Sequence, residues 1–317
     1  MISPSAINKS VPIRHFLFLP ICLYIACSLQ AQPLLKNEQK HNSTPFEVTA
    51  FNNIAMNSIL NCHDNVKLMF HTAENDMYLT EDAIKKATSI KIDGKVDSVQ
   101  SWGGNDNSSA FSKNNLLIIG NISWENILVW EDKNSGKGTD GKFGMNLFDG
   151  QVIEMNFDEN LLRLEKKLPH HLKGYSKFRL EKTNTGLFIT ADCATTGETF
   201  TNRFLIHTGY SGGLLLDDQF TNENKLGDKL KITGEKELKD AYGNSVKTKK
   251  AILPKLKIGN LQLDDVPVGF FEGSIGRQKI SIMGCDILKR FNWIIDAKRE
   301  FIYLKPNHFT GSDYYKI

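Results

Sequence analysis

Short alternations of hydrophobic and polar residues run through most of the chain, a pattern that is typical of half-buried β-strands. Four of the predicted strands form two hairpins, each closed by a polar turn: Ile54–Leu60 with Val66–His71, and Leu187–Thr190 with Phe200–His207. Helical signals are short and lie at Thr80–Ala87 and Asp286–Phe291. The pattern therefore predicts an all-β protein with short helices.

The first 31 residues depart from this pattern. They contain Lys9 and Arg14 but no acid, then a short apolar run, and they end at Ala31. These features are typical of a secretory signal peptide, and the apolar run is short for a membrane span. We expect residues 1–31 to be removed and the protein to be exported to the periplasm or the extracellular medium, with no membrane span in the remainder. An uncleaved anchor and lipidation of Cys27 are the alternatives.

Composition adds two restrictions. The 317 residues hold 39 basic and 36 acidic side chains, and removal of the signal leaves 37 and 36. This balance argues against a dedicated nucleic-acid binder. Three cysteines remain, Cys62, Cys193 and Cys285, which are too scattered for a metal cluster but allow one disulfide. Cys285 lies in an apolar segment and is expected to be buried.

The rest of the chain contains an internal duplication. Three short motifs occur twice in the same order: Leu68–Ala73 and Phe204–Gly209, then Ile119–Ile122 and Ile258–Leu261, then Phe143–Leu147 and Met283–Ile287. The spacing of the first two motifs is also similar. His71 lies 49 residues before Gly120 in the first copy, and His207 lies 52 residues before Gly259 in the second. We therefore predict two related β-rich lobes, 32–168 and 169–317, joined through the polar stretch at 169–174. Two such lobes would face each other across a cleft, a common kind of binding site.

These motifs resemble those of the pepsin/retropepsin-like aspartic peptidases, in particular a secreted bacterial branch with two retropepsin-like lobes in one polypeptide. In that family an apolar strand ends in Asp-Thr-Gly, and two apolar residues followed by Gly occur later in each lobe. The resemblance implies an acid-protease fold around a central cleft. At the two positions of the catalytic Asp, however, this chain has His71 and His207. Lobe one also has Ala73 in place of the motif's Gly.

Other site residues follow from the same resemblance. The family's lobe-linking threonines correspond to Thr72 and Thr208. The motif's glycine is retained as Gly209, and Ser211 is the hydroxyl residue nearest to the position that supports the catalytic carboxylate. In the family, a hairpin covers the cleft. The corresponding segments of this chain each contain an aromatic residue and glycine, so the expected ligand contacts are Trp102, Gly103 and Tyr242.

Two histidines cannot simply replace two aspartates. The family mechanism needs two close carboxyl groups that share one proton, whereas a neutral imidazole offers one acceptor nitrogen and two protonated imidazoles repel each other. Our first hypothesis is an exported, cofactor-free monomer that lacks ordinary aspartic endopeptidase activity and binds a peptide or another extended ligand in the cleft. One alternative is an active hydrolase with a His-based dyad. The other is a metal-binding protein that holds Zn or Cu through His71 and His207.

Overall fold

A computed structural model describes residues 42–101, 104–170, 172–239, 245–271 and 278–315, which belong to one compact unit. The predicted signal peptide and the predicted ligand contacts Trp102, Gly103 and Tyr242 lie outside the described residues. In the described part of the chain, no helix combines the length and the apolar character that crossing a membrane requires.

The first half of the described chain is built mainly of strands, in the order β1 (Asn42–Pro45), β2 (Glu47–Val48), β3 (Ile54–Leu60), β4 (Asp64–Phe70), β5 (Met77–Thr80), β6 (Gly94–Ser101), β7 (Gly104–Ile119), β8 (Ile122–Asp132), β9 (Gly141–Phe143), β10 (Val152–Asn156) and β11 (Leu161–Glu165). Helix α1 (Glu81–Lys86) follows β5, and a short 3-10 helix at Met145–Phe148 follows β9.

The second half repeats this arrangement, in the order β12 (Ser176–Arg179), β13 (Glu181–Thr183), β14 (Gly186–Ala194), β15 (Thr199–His207), β16 (Leu214–Leu215), β17 (Lys231–Lys239), β18 (Ser245–Ile258), β19 (Leu261–Phe270), β20 (Ile282–Gly284), β21 (Phe291–Ile295) and β22 (Phe301–Pro306). Its helices are α2 (Asp218–Glu223), α3 (Leu226–Lys229) and α4 (Cys285–Leu288).

Each half forms an eight-stranded sheet with the same strand order. Lobe one reads β2-β3-β4-β9-β5-β8-β7-β6, and lobe two reads β13-β14-β15-β20-β16-β19-β18-β17. An additional pairing, β3 with β7 and β14 with β18, turns each sheet back on itself. The prediction of an all-β fold with two similar lobes is therefore confirmed.

A third sheet joins the lobes, with the order β1-β11-β10-β21-β22-β12. At its centre β10 of the first half pairs with β21 of the second half, where Met155 lies opposite Trp293. Trp293 is fully buried and packs toward Phe70 at the end of β4. Backbone hydrogen bonds and aromatic packing thus fix one lobe against the other. The predicted boundary at 168/169 lies between β11 and β12 and stays a prediction.

The two predicted helices form, with shifted ends. Thr80 caps α1 by accepting a hydrogen bond from the backbone N–H of Ala83. Helix α4 is shorter than predicted because Phe291, the predicted last residue, already begins β21. Sequence reasoning missed α2. Its N-cap, Asp217, lies three residues after the first residue of β16, and the N-cap of α1, Thr80, lies three residues after the first residue of β5. The two helices therefore begin at equivalent positions of the two lobes.

The three described cysteines are all free, so the disulfide that the sequence allowed does not form among them. Cys62 is exposed at the β3–β4 turn, whereas Cys193 and Cys285 are buried in the core. Burial raises the pKa of both buried thiols to about 12, which keeps them protonated and unreactive. Cys285 is buried as expected.

Candidate active site

The two histidines meet at the junction of the lobes. His71 directly follows β4, and His207 is the last residue of the equivalent strand, β15. In each lobe this strand has a parallel neighbour, β9 or β20, and the backbone N–H of His71 donates to the carbonyl of Phe143 at 3.0 Å. The two imidazole rings have centroids 4.5 Å apart and are tilted by 56°. The fold therefore brings together the two residues that the sequence singled out.

Reciprocal hydrogen bonds between two threonines support this junction. The Thr72 hydroxyl donates to the carbonyl of Ile206 at 2.7 Å, and the Thr208 hydroxyl donates to that of Phe70 at 2.6 Å. Each hydroxyl oxygen also accepts the backbone N–H of the other threonine at 3.0 Å. Both side chains are almost completely buried, so water cannot replace these bonds. The threonines link the lobes as the resemblance implied.

Thr208→Val is expected to destabilise the protein by about 2 kcal/mol, because valine fills the same space but leaves a buried N–H and a buried carbonyl without partners. Thr221→Val is the matched control, since the Thr221 hydroxyl is also buried but bonds within its own lobe to the carbonyl of Asp217. Urea unfolding measures both. Equal losses in the two variants would show that the bonds between lobes have no special weight.

Glycines allow the close approach on which the site depends. A Cβ atom at position 209 would lie 2.2 Å from Nε2 of His71, so the ring of lobe one rests directly on the Gly209 backbone of lobe two. Cβ atoms at Gly144 and Gly284 would lie 2.3 Å and 2.2 Å from the carbonyl oxygens of Glu74 and Gly212. No larger residue fits at Gly144 or Gly284 without displacing backbone, and one at position 209 would displace the His71 ring.

Both imidazoles are held in the neutral form. Burial, the neighbouring His207 and the charge of Lys142 together place the pKa of His71 well below its usual value. Burial also lowers the pKa of His207 to about 4. Its own backbone carbonyl opposes this shift, and the charge of Lys142 adds a smaller downward contribution. His71 is only 7% exposed. At neutral pH the pair is therefore uncharged.

The positive charge beside the pair belongs to a buried ion-pair cluster. Lys142 is 5% exposed, and its ammonium lies 2.9 Å from a carboxylate oxygen of Asp132 and 3.1 Å from one of Glu74. The same ammonium stands over the ring of Tyr78, 4.7 Å from its centroid. Burial disfavours this charge, but the two carboxylates outweigh burial and raise the pKa of Lys142. The lysine is thus permanently charged.

This cluster, Glu74–Lys142–Asp132, occurs in lobe one alone. In the duplicated frame its positions in lobe two are occupied by Tyr210, Ile282 and Phe271. Sequence reasoning missed the cluster because its members are far apart in the chain. The available signal was a lysine inside an otherwise apolar motif, Lys142-Phe143-Gly144, where the second copy has isoleucine.

Ser211, the predicted supporting hydroxyl, bonds across the lobes instead. Its hydroxyl donates to the side-chain oxygen of Asn53 at 3.3 Å, and its carbonyl accepts the side-chain N–H of Asn52 at 2.5 Å. Lys289 of lobe two donates to the side-chain oxygen of Asn52 at 2.9 Å. Ser211 therefore helps to hold the lobes together next to the histidine pair, and its predicted role in catalysis stays a prediction.

Metal ligation would rest on the two histidines. The buried Nδ1 atoms of His71 and His207 have no hydrogen-bond partner among the described residues. Over the same part of the chain, no group of three or more His, Cys, Asp and Glu residues is arranged to hold a metal ion. Stable Zn sites usually have three or four protein ligands, so the pair offers an incomplete set.

No family model and no curated protein matches the sequence. The structure, however, is similar to that of the aspartic proteinase from Irpex lacteus, with a TM-score of 0.56, 12% sequence identity, and coverage of 85% of this chain and 98% of that chain. At such low identity the similarity concerns the fold alone. The chain therefore has the two-lobed pepsin-like fold that the resemblance implied, with two histidines at the junction of the lobes.

Proposed function

We propose that this chain is an exported pepsin-fold protein of the periplasm or extracellular space that binds a peptide or similar extended ligand between its lobes without cleaving it as an aspartic peptidase does. The observation that carries the proposal is the pair of neutral imidazoles where the lobes meet, in a frame that keeps both threonines and the glycines Gly144, Gly209 and Gly284. Both lobes are in one chain, so a monomer suffices to build the site.

The electrostatics of the site support the loss of ordinary acid proteolysis. Two close aspartates share a proton because their like charges prevent both from ionising, so one acts as a base toward the attacking water and the other as an acid toward the substrate carbonyl. Neutral imidazoles cannot form such an arrangement, and protonating either ring adds positive charge beside the other ring and Lys142. The two carboxylates of this region, Glu74 and Asp132, are already bound to Lys142.

The same features weigh against a His-based hydrolase. A general base works best when its pKa lies near the working pH. Burial lowers the pKa of His207 to about 4, so at neutral pH this imidazole is a weak base and lacks the acidic proton of an imidazolium. A dyad in which one ring is protonated would form only in acid, where the positive charges oppose it.

Peptide cleavage across pH tests the proposal. The full chain is expected to leave a mixed peptide pool intact from about pH 3 to about pH 8 while binding peptides from it. The double variant His71→Asp/His207→Asp is expected to gain cleavage on the acid side, because it restores a carboxyl pair at the two strand ends, and such a gain would show that only the dyad is missing. Cleavage by the unaltered protein that is lost in His207→Ala would overturn the proposal.

Metal binding is the second candidate, favoured by the two buried Nδ1 atoms without partners. Imidazole nitrogens are good ligands for Zn and Cu, and a low pKa leaves one nitrogen of each ring without a proton. The nearby charge of Lys142 and the incomplete ligand set oppose it. Titration of untagged protein with Zn and Cu tests this candidate. Equal binding by His207→Ala would eliminate the histidine pair as the site.

A further inference from the structure

The sheet that joins the lobes has an inner and an outer face. Residues directly opposite each other in an antiparallel pair share a face, so the register separates the two. One row across the six strands is almost entirely buried and consists of Thr44, Leu162, Met155, Trp293, Leu304 and Ser176. The neighbouring row lies on the other, outer face and consists of Ser43, Arg163, Glu154, Ile294, Tyr303 and Lys177.

The segment between β11 and β12 crosses this outer face. Its residues Leu168, Leu172 and Tyr175 pack against a small apolar cluster on the face, which includes Ile294 and Tyr303. The apolar side chains of the segment therefore point toward the sheet. Its exposed side chains point to the same side of the molecule as the outer face of the sheet.

Six basic side chains lie on this side. Residues 166–179 provide five of them and contain no acid. The sixth is on β22 beside the segment, since a Cβ atom at Gly174 would lie 3.6 Å from its Cε. We call this surface the basic face, and it consists of Lys166, Lys167, Lys173, Lys177, Arg179 and Lys305. Among the described residues, none of the six forms an ion pair with a carboxylate.

The acids of the outer face are already engaged. Glu154 is bound to Arg163 at 3.1 Å. The carboxylate of Asp296, in the turn after β21, accepts two backbone N–H groups of that turn, at 2.8 Å and 3.0 Å. Glu165 of β11 has a partner as well. The positive charge of the basic face is therefore left without a matching anion from the sheet below it.

Aromatic rings lie among these lysines. The Lys177 ammonium lies 3.6 Å from the ring centroid of Phe301, and the Lys305 ammonium lies 5.9 Å from that of Tyr175. Both rings are partly exposed. Lysines with partly exposed aromatic rings suit a lipid headgroup layer, where the ammonium contacts phosphate and the ring lies at the boundary with the acyl chains.

We propose that the basic face binds the surface of an anionic phospholipid bilayer and so holds the protein at a membrane without spanning it. Clusters of about four to eight basic residues are attracted to such surfaces. The inference goes beyond the proposed function and takes from it only the export of the chain. Export favours a bilayer over a nucleic acid, because an exported protein passes lipid surfaces on its route.

Binding through the basic face would leave the site between the lobes accessible. On the inner face of the same sheet, Trp293 packs toward Phe70, the residue before His71. The histidine pair and the basic face therefore lie on opposite sides of this sheet. A bilayer against the basic face does not cover the junction where the proposed peptide ligand binds.

Sedimentation of the full chain with vesicles tests the inference. Vesicles of equal parts phosphatidylglycerol and phosphatidylcholine are compared with vesicles of phosphatidylcholine alone. We expect at least about hundredfold tighter binding to the anionic vesicles, and weaker binding as salt is added. A lysine near an anionic surface contributes about fivefold in affinity, so Lys167→Gln/Lys173→Gln/Lys177→Gln should weaken binding at least about thirtyfold.

The matched control is Lys231→Gln/Lys247→Gln/Lys255→Gln, which removes the same charge from exposed positions of β17 and β18 and is expected to change vesicle affinity less than about threefold. All variants share residues 1–31, so a contribution of these residues is common to them. Thermal unfolding shows that the variants are folded.

Three results would overturn the inference. They are equal loss in the two triple variants, equal binding to the two kinds of vesicle, and tighter binding to an oligo-dT strand than to the anionic vesicles. Each of them leaves the proposed peptide site standing, because peptide binding between the lobes does not involve the basic face.

Discussion

Lys142→Ile is expected to destabilise the protein by about 3–5 kcal/mol, the cost of removing one partner from a buried ion pair. The substitution copies Ile282, which occupies the same position in lobe two, so the fold itself accepts the side chain. The loss comes from Asp132, which is 2% exposed and whose charge would then lie buried beside an apolar group. Urea unfolding at neutral pH measures the change.

Two further variants separate charge from packing. Lys142→Ile/Asp132→Asn should recover at least about half of the loss, because the carboxylate that Lys142 had neutralised is replaced by a neutral amide. Lys85→Met, which removes an exposed lysine near two acids on α1, should cost less than about 0.5 kcal/mol. If the double variant were no more stable than Lys142→Ile, loss of packing rather than of charge balance would explain the effect.

Stability should fall as the pH drops from about 6.5 to about 4, because the unfolded chain binds protons at the two histidines in this range and the folded protein does not. Burial lowers the pKa of His207 to about 4 from an ordinary value of 6.5. The neutral imidazole thus contributes about 3 kcal/mol at neutral pH, and this contribution is lost on acidification. His71, whose pKa is also lowered, acts in the same direction.

The double variant His71→Gln/His207→Gln is expected to show a nearly flat stability profile over this range. The exposed carboxylate of Asp158 does not interfere, since its lowered pKa places its protonation at more acidic pH. His170→Gln, at an exposed histidine, serves as the control and should keep the slope of the unaltered protein. Urea midpoints measured at several pH values give the profiles. Parallel profiles for the unaltered protein and the double variant would contradict the assignment.

Lys142 links the two predictions. Its charge is among the causes that lower the pKa of both His71 and His207. Lys142→Ile should therefore reduce the loss of stability between about pH 6.5 and about pH 4, in addition to its effect at neutral pH, because the folded histidines would bind protons more readily. The lysine thus adds to the effect of burial in keeping the histidine pair neutral, and it is itself kept charged by Glu74 and Asp132.

Much of the fold could be predicted from short stretches of the sequence. Alternating apolar residues predicted β3 with its observed ends, because a strand with one buried face needs that pattern. Repetition of three motifs predicted two related lobes, because duplicated sequence folds to the same topology. The positions of His71 and His207 at equivalent strand ends followed from the same repeats. Helix α2 escaped prediction because its six residues are too few for a clear helical period.

The sequence by itself determined the β-rich composition, the duplication and the presence of histidine at two equivalent positions. Only the tertiary structure decided that the two rings lie 4.5 Å apart, that Lys142 is buried next to them, and that Ser211 bonds to the opposite lobe. These contacts join residues that are far apart in the chain, and the pKa of each group depends on burial and on neighbours that no local pattern reveals.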